Sequence, residues 1–101
     1  MEGLELVCFQ MIASVGTAKS MFIEAMQLAR QKRFDEAEDL ISKGEREVLN
    51  AHKVHAELIA KEANGEKTDV SLLLLHAEDQ FMSSETIKIV AQELIEVYRS
   101  R

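Results

Sequence analysis

Asn64-Gly65-Glu66-Lys67-Thr68-Asp69 is the clearest interruption in a chain otherwise composed of helix-forming residues. Gly65 can take the left-handed conformation that closes a helix, and Thr68 or Asp69 can cap the start of the next. A second interruption lies upstream at Gln31 to Asp35, where Asp35 followed by Glu38 reads as an N-cap with an acidic residue three positions on. The two breaks divide 101 residues into three nearly equal parts. The predicted helices cover residues 2–31, 35–63 and 69–99 of one domain spanning 1–101.

Within each part the inward positions recur at mixed three and four spacing, the mark of a single helical face. Leu4, Cys8, Met11, Val15, Ala18, Phe22, Ala25 and Ala29 form the first stripe. Phe34, Ala37, Ile41, Gly44, Val48, Ala51, His55 and Leu58 form the second. Val70, Leu73, Ala77, Gln80, Ser84, Ile87, Ala91, Leu94 and Tyr98 form the third. Helices of about 28 to 30 residues run ~45 Å, and short connections make sequence neighbours antiparallel. The expected fold is an all-α, antiparallel up-down-up three-helix bundle.

Composition narrows the function classes. Hydrophobic residues make up 47% and charged residues 30%, with no Pro, no Trp and four Gly, too apolar for disorder and too poor in turn residues for many short strands. Twelve Lys and Arg against 18 Asp and Glu leave a net charge of −6, which argues against nucleic acid or an anionic membrane as the main partner. Cys8 is the single cysteine and has no internal disulfide partner. The opening Met1 to Val7 lacks the basic n-region of a signal peptide. The longest apolar runs, such as Val70 to Leu75 interrupted by Ser71, fall short of the ~20 residues that cross a bilayer. A cytoplasmic protein with no membrane-spanning segment is expected.

Leu72, Leu73, Leu74 and Leu75 point four ways around a helix, and Met21, Phe22 and Ile23 repeat the pattern. A helix apolar on several sides is buried on several sides, so self-association in a closed cyclic oligomer is expected. The plainer reading is a scattered exposed leucine, which is common.

Chemistry-bearing residues are scarce. Of three histidines, His52 and His55 stand at i and i+3 and can reach one metal, but no acidic residue stands three before any His, so the Glu-x-x-His pairs of di-iron bundles are missing. A polar rim position and a hydrogen-bonded core position account for both. No phosphate-cradling glycine loop, nucleophile elbow or cysteine pair is present. His76 follows the four leucines, with Asp79, Gln80 and Ser83 within about 60°, 40° and 20° of it around the helix. A neutral imidazole is a competent nucleophile near pH 7; an interface histidine with satisfied hydrogen bonds fits the same pattern. Asp79 is either a solvated carboxylate at the bundle edge or a charge that, gathered in several copies, demands a divalent ion with oxygen ligands. Gly16, among Ser14, Thr17 and Ser20, either opens space for a phosphate or partner or lets another helix approach closely.

Val70-Ser71-Leu72-Leu73-Leu74-Leu75-His76-Ala77-Glu78-Asp79-Gln80-Phe81-Met82 resembles a pattern of an apolar run, His-Ala-Gln-Asp-His, an aliphatic residue and Met. That pattern marks the IIA component of the lactose/cellobiose type of the bacterial sugar phosphotransferase system. Gly16-Thr17-Ala18-Lys19-Ser20 is similar to that family's Gly-x-Ala-basic-Ser, and Asn50-Ala51-His52 resembles its Asn-Glu-Ala-His. The resemblance spans nearly the whole chain. It implies a trimer of three-helix subunits in which His76 is the phosphoacceptor. His76 would take a phosphoryl group from the histidine-containing phosphocarrier protein and pass it to a cysteine of the IIB component, a phosphotransferase role. It further implies that three copies of Asp79 hold a divalent metal, Mg²⁺ being the natural choice, on the trimer axis. Contact with a membrane would be indirect, through the sugar permease component.

Two positions depart from the pattern. Glu78 replaces Gln, adding negative charge near a phosphate that carries about −1.5 to −2, and Gln80 replaces the second His, removing a competing nucleophile or a helper to His76. A different class of function, a helical interaction module that binds a partner and does no chemistry, predicts no phosphorylation at all. Metal storage or redox chemistry is disfavoured by the missing Glu-x-x-His pairs.

Overall fold

The computed structural model describes residues 3–101. Three helices follow one another: α1 Gly3–Arg30, α2 Phe34–Ala63 and α3 Leu72–Arg99. The helix start expected at Glu2 lies outside the described residues. Cross-helix contacts fix the directions. Lys19 meets Gln80 and Lys32 meets the end of α3, so α1 and α3 run parallel, while Glu38 meets Arg99 and His55 meets Glu78, so α2 runs against α3. The expected up-down-up bundle is the observed one, with a long axis of 50 Å.

The bundle is not symmetric. α1 lies along both α2 and α3, whereas α2 and α3 share far less contact with each other. A helix flanked on two sides needs apolar residues beyond one narrow stripe. α1 has them: its mean hydropathy reaches 1.5, and by length and composition it is apolar enough to cross a membrane. One stripe of these residues forms the centre of the core, since Cys8, Met11, Val15, Ala18, Phe22, Ala25 and Ala29 are all buried, while Leu6, Phe9 and Ile23 remain exposed. On α2 the buried positions Ala37, Ile41, Gly44, Val48 and Ala51 also follow the predicted stripe.

α3 differs from expectation in phase. Its buried positions are Leu74, Ala77, Phe81, Ser84, Ala91 and Ile95; Leu73, Gln80, Ile87 and Leu94 are half-buried. Four leucines in a row give the pattern no phase, and the side facing α1 settles on the position after Leu73. Val70 stands outside the helix and is exposed. The helix starts later than residue 69 because Ser71, in extended conformation, is the N-cap, its hydroxyl accepting from the Leu74 amide at 3.1 Å. Thr68 and Asp69 therefore do not cap it.

Both connections close in the same way. After α2, Gly65 takes φ 86°, with Gly65 N–H donating to Glu62 and Glu66 N–H to Lys61, the Schellman arrangement. After α1 the left-handed residue is Lys32, φ 66°, with Lys32 N–H donating to Ala29 and Arg33 N–H to Leu28. The ammonium of Lys32 donates to the Tyr98 carbonyl at 2.7 Å, which ties this non-glycine turn to the end of α3. The N-cap expected at Asp35 is instead Arg33, which makes no side-chain cap. Its guanidinium grips Glu36 through two hydrogen bonds, holding that carboxyl below the usual carboxylate range.

Gly44 serves as a seat. A Cβ built there would stand 2.4 Å from Cε1 of Phe22, a fully buried ring. Alanine would gain about 1 kcal/mol of helix propensity, but a rigid ring packed on all sides cannot move aside freely. Gly44→Ala is expected to lower stability by about 1–3 kcal/mol in urea unfolding. Pairing it with Phe22→Leu should recover part of that loss.

Candidate functional site

Burial of Leu74, Ala77 and Phe81 against the bundle sets the rotation of α3, and this rotation turns His76 and Asp79 outward. His76 is exposed one turn into the helix, on a segment pinned by the Ser71 cap, so its ring is open to a docking protein. Around it Leu72, Leu75 and Met82 are 84%, 56% and 53% exposed. Asp79 stands exposed within this apolar stripe. An unpaired carboxylate is easily hydrated here in a single chain but becomes costly once the surrounding leucines are covered.

Gln80, one turn after His76, accepts a hydrogen bond at 3.1 Å from Nζ of Lys19. This bond joins the two segments of sequence that carry the family resemblance, 16–20 on α1 and 70–82 on α3. Gly16 itself faces open space, with no atom within 4 Å of an added Cβ. Close approach of another helix of the same chain is therefore not its role. The Ser14 and Thr17 hydroxyls donate back to the carbonyls of Gln10 and Ala13.

Glu78 is not beside His76. Two residues on is about 200° around a helix, and its carboxylate reaches α2, where Oε2 accepts from Nδ1 of His55 at 2.5 Å. Both side chains are mostly buried, 29% and 19% exposed for His55 and Glu78. The His55 ring also stands 5.1 Å from the Phe81 ring and that of His52 5.9 Å from it, centroid to centroid. The extra negative charge expected near a phosphate is thus directed to the opposite side of the helix. Sequence reasoning missed the His55–Glu78 pair; the signal available was that His55 falls on the inward stripe of α2. Cys8 is buried, and burial, with Glu78 and Glu5 adding, pushes its thiol above the usual range, so it is a core residue and a poor nucleophile. Among the described residues no three His, Cys, Asp or Glu side chains converge on one point. His52 and His55 are thus joined by no third such ligand within the chain, and Asp79 of one chain alone is too few ligands.

Comparison with known proteins decides the family. Residues 6–99 match the model of the phosphotransferase system lactose/cellobiose-specific IIA subunit. This chain belongs to that family. The oligo-beta-mannoside-specific EIIA component of Bacillus subtilis is 37% identical, the alignment taking in 96% of this chain and 88% of the relative. The crystal structure of the cellobiose-specific enzyme IIA from Bacillus anthracis superposes with a TM-score of 0.90 at 40% identity, over 99% of this chain and 92% of that one. IIA(chitobiose) of Escherichia coli, solved in complex with HPr, gives a TM-score of 0.82 at 32% identity over 99% and 97%. The protein is a IIA component, a phosphotransferase carrier of the sugar phosphotransferase system.

In this IIA chain the His55–Glu78 pair is structural. His55→Leu should cost about 1–3 kcal/mol in chemical denaturation, because it strands a half-buried carboxylate. Glu78→Gln, which keeps a hydrogen-bonding partner, is expected to cost less. Neither should lower the amount of phosphate the folded protein accepts.

Proposed function

We propose that His76 is the phosphoacceptor of this IIA component, taking the group from HPr and delivering it to a cysteine of a IIB component during uptake of a lactose-, cellobiose- or chitobiose-type sugar. The observation that carries this reading is the placement of His76, exposed on a rigid, capped turn in a chain of the IIA family. The Escherichia coli relative solved with HPr supports the choice of donor. In the first transfer the P–N bond of the donor phosphohistidine breaks and its electron pair stays on the donor ring. The lone pair of an unprotonated His76 nitrogen forms the new P–N bond. Each imidazole keeps the proton on its other nitrogen, so no external acid or base takes part. In the second transfer a cysteine thiolate attacks the same phosphorus and His76 leaves as neutral imidazole. Such exchange between two protein nucleophiles depends on in-line positioning and charge stabilisation and needs no nucleotide pocket.

The assembly belongs to the same reading. Leu72, Leu75, Met82 and Ile89 form an exposed apolar line along α3, at intervals of three and seven residues. Such a line fits against copies of itself around a closed axis, and a homotrimer is the assembly in keeping with the family. Asp79 lies within that line, so burying it would bring three carboxylates together. Repulsion between them would then favour a divalent cation with oxygen ligands, Mg²⁺ being the best match. The ion would neutralise axial charge, with Asp79 of each subunit as its ligand and no step of the transfer passing through it. Cytoplasmic location, with the membrane reached only through the permease component, completes the proposal.

Incubation with phosphoenolpyruvate, enzyme I and HPr should add one acid-labile, base-stable phosphate per chain. His76→Ala should abolish the label while retaining helical content. Full labelling of that variant would remove His76 from the role. A chain that takes no label yet still binds a partner would favour the interaction-module reading. For the axis, Asp79→Leu should sediment as a trimer at least as stable as the parent and no longer respond to chelator. Dissociation of the variant into monomers would contradict the repulsion argument.

A further inference from the structure

A phosphoryl group on His76 would bring about −1.5 to −2 of charge to a chain already at net −6, with Asp79 exposed one turn away. A cation near His76 would favour that added charge. Five of the twelve basic side chains are bonded away from His76: Arg33 to Glu36, Lys43 to Asp39, Lys88 to Glu45 and Glu85, Arg99 to Glu38, and Lys32 to carbonyls at the end of α3. Lys19 is placed differently. It is half-buried, its recorded partner is the neutral amide oxygen of Gln80, and that amide sits one turn from His76 on the same face. Side chains of a helix lean toward its N-terminus, so the Gln80 amide reaches back over the turn that bears His76. Residues at i and i+4 stand about 5–6 Å apart at Cβ.

We propose that Lys19 is a phosphoryl-binding residue for the transfer, held by the Gln80 carboxamide so that its ammonium stands ready to bind the oxygens of a phosphoryl group on His76. This deepens the phosphoacceptor reading and rests on it. An ammonium has three donors. One engages Gln80 Oε1, leaving two for phosphoryl oxygens, and the free NH₂ of Gln80 supplies a further donor on the same side. The neutral amide suits this task because it orients the lysine without cancelling its charge. A carboxylate at position 80 would pair with the lysine and add to the repulsion. The separation of signs is completed by Glu78, whose charge is tied to His55 on α2.

The test uses the full chain with HPr and enzyme I, and follows two readouts: the phosphorylated fraction at equilibrium with phospho-HPr, and the ³¹P titration midpoint of the isolated phosphoprotein. Lys19→Gln is expected to lower the IIA-to-HPr phosphate ratio about threefold or more, the size of a partly exposed charge pair. It should also move the phosphoryl midpoint upward by about half a pH unit, because a nearby cation favours the dianion. Lys19→Arg should restore most of both. Gln80→Ala, which keeps the charge but frees the side chain, should give a smaller shift in the same direction. Lys43→Gln makes the same change in net charge at a distant site and should move neither readout. A folded Lys19→Gln protein with wild-type ratio and midpoint overturns the proposal, as does a Lys43→Gln shift of equal size. If the parent protein takes no phosphate on His76, the phosphoacceptor reading falls and this one with it, whereas failure confined to the lysine variants leaves that reading standing.

Discussion

Two-sided burial of α1 is the constraint from which the remaining structure follows. In a bundle of three rods each helix can touch the other two equally, but here α2 and α3 meet far less than either meets α1. The core is therefore organised around one helix, and Phe22 at its middle needs a glycine, Gly44, on the facing helix to fit its ring. Once α3 buries its Leu74, Ala77, Phe81 and Ser84 side in the bundle, the face that carries His76 and Asp79 is left exposed. Burial inside one subunit and exposure of His76 thus have a single cause, the rotational setting of α3.

That setting also separates functions around the same helix. Ala77 is core, Glu78 faces α2, Asp79 faces outward, and Gln80 turns toward α1. Consecutive residues lie about 100° apart, so a four-residue segment surveys the entire circumference. The two departures from the family pattern fall on the two positions that contact neighbouring helices, and each has acquired a partner there. Glu78 has an imidazole, and Gln80 has an ammonium. Neither change falls on His76 or Asp79, the outward pair. The substitutions therefore alter how α3 is held more than what it presents.

Much of this was legible in the sequence. On α1 the predicted stripe and the buried residues coincide from Cys8 to Ala29, because those positions keep the three and four spacing of one helical face without a break. Gly65 as the end of α2 was equally plain, since only a residue tolerant of positive φ fits there. What failed did so for local reasons. Lys32 closes α1 although its side chain gives no hint of a left-handed conformation, and its stabilising contact comes from the distant end of α3. Ser71 displaces Thr68 and Asp69 as the cap because its hydroxyl sits three residues before an amide that the buried Leu74 fixes in place. At the site, the position of His76 could be anticipated from its neighbours on the helix. The bonds from Lys19 to Gln80 and from His55 to Glu78 span 61 and 23 residues and depend on how helices are rotated against each other, which no single helix encodes.

The charge distribution that results bears directly on carrier chemistry. A phosphocarrier must hold its group firmly enough to receive it and loosely enough to release it, so strong fixed neutralisation at the acceptor would be as harmful as none. An arginine clamp with paired carboxylates would bind phosphate tightly and at fixed geometry. A single ammonium on a flexible stem, oriented by a neutral amide, gives a weaker and adjustable field. Placing the one nearby acidic departure on the far side of α3, in contact with His55, keeps that field from being cancelled. On the proposed reading, the contacts at positions 19 and 80 would supply positive charge beside a phosphoryl group on His76, while the contact of Glu78 with His55 keeps that carboxylate on the α2 side of α3.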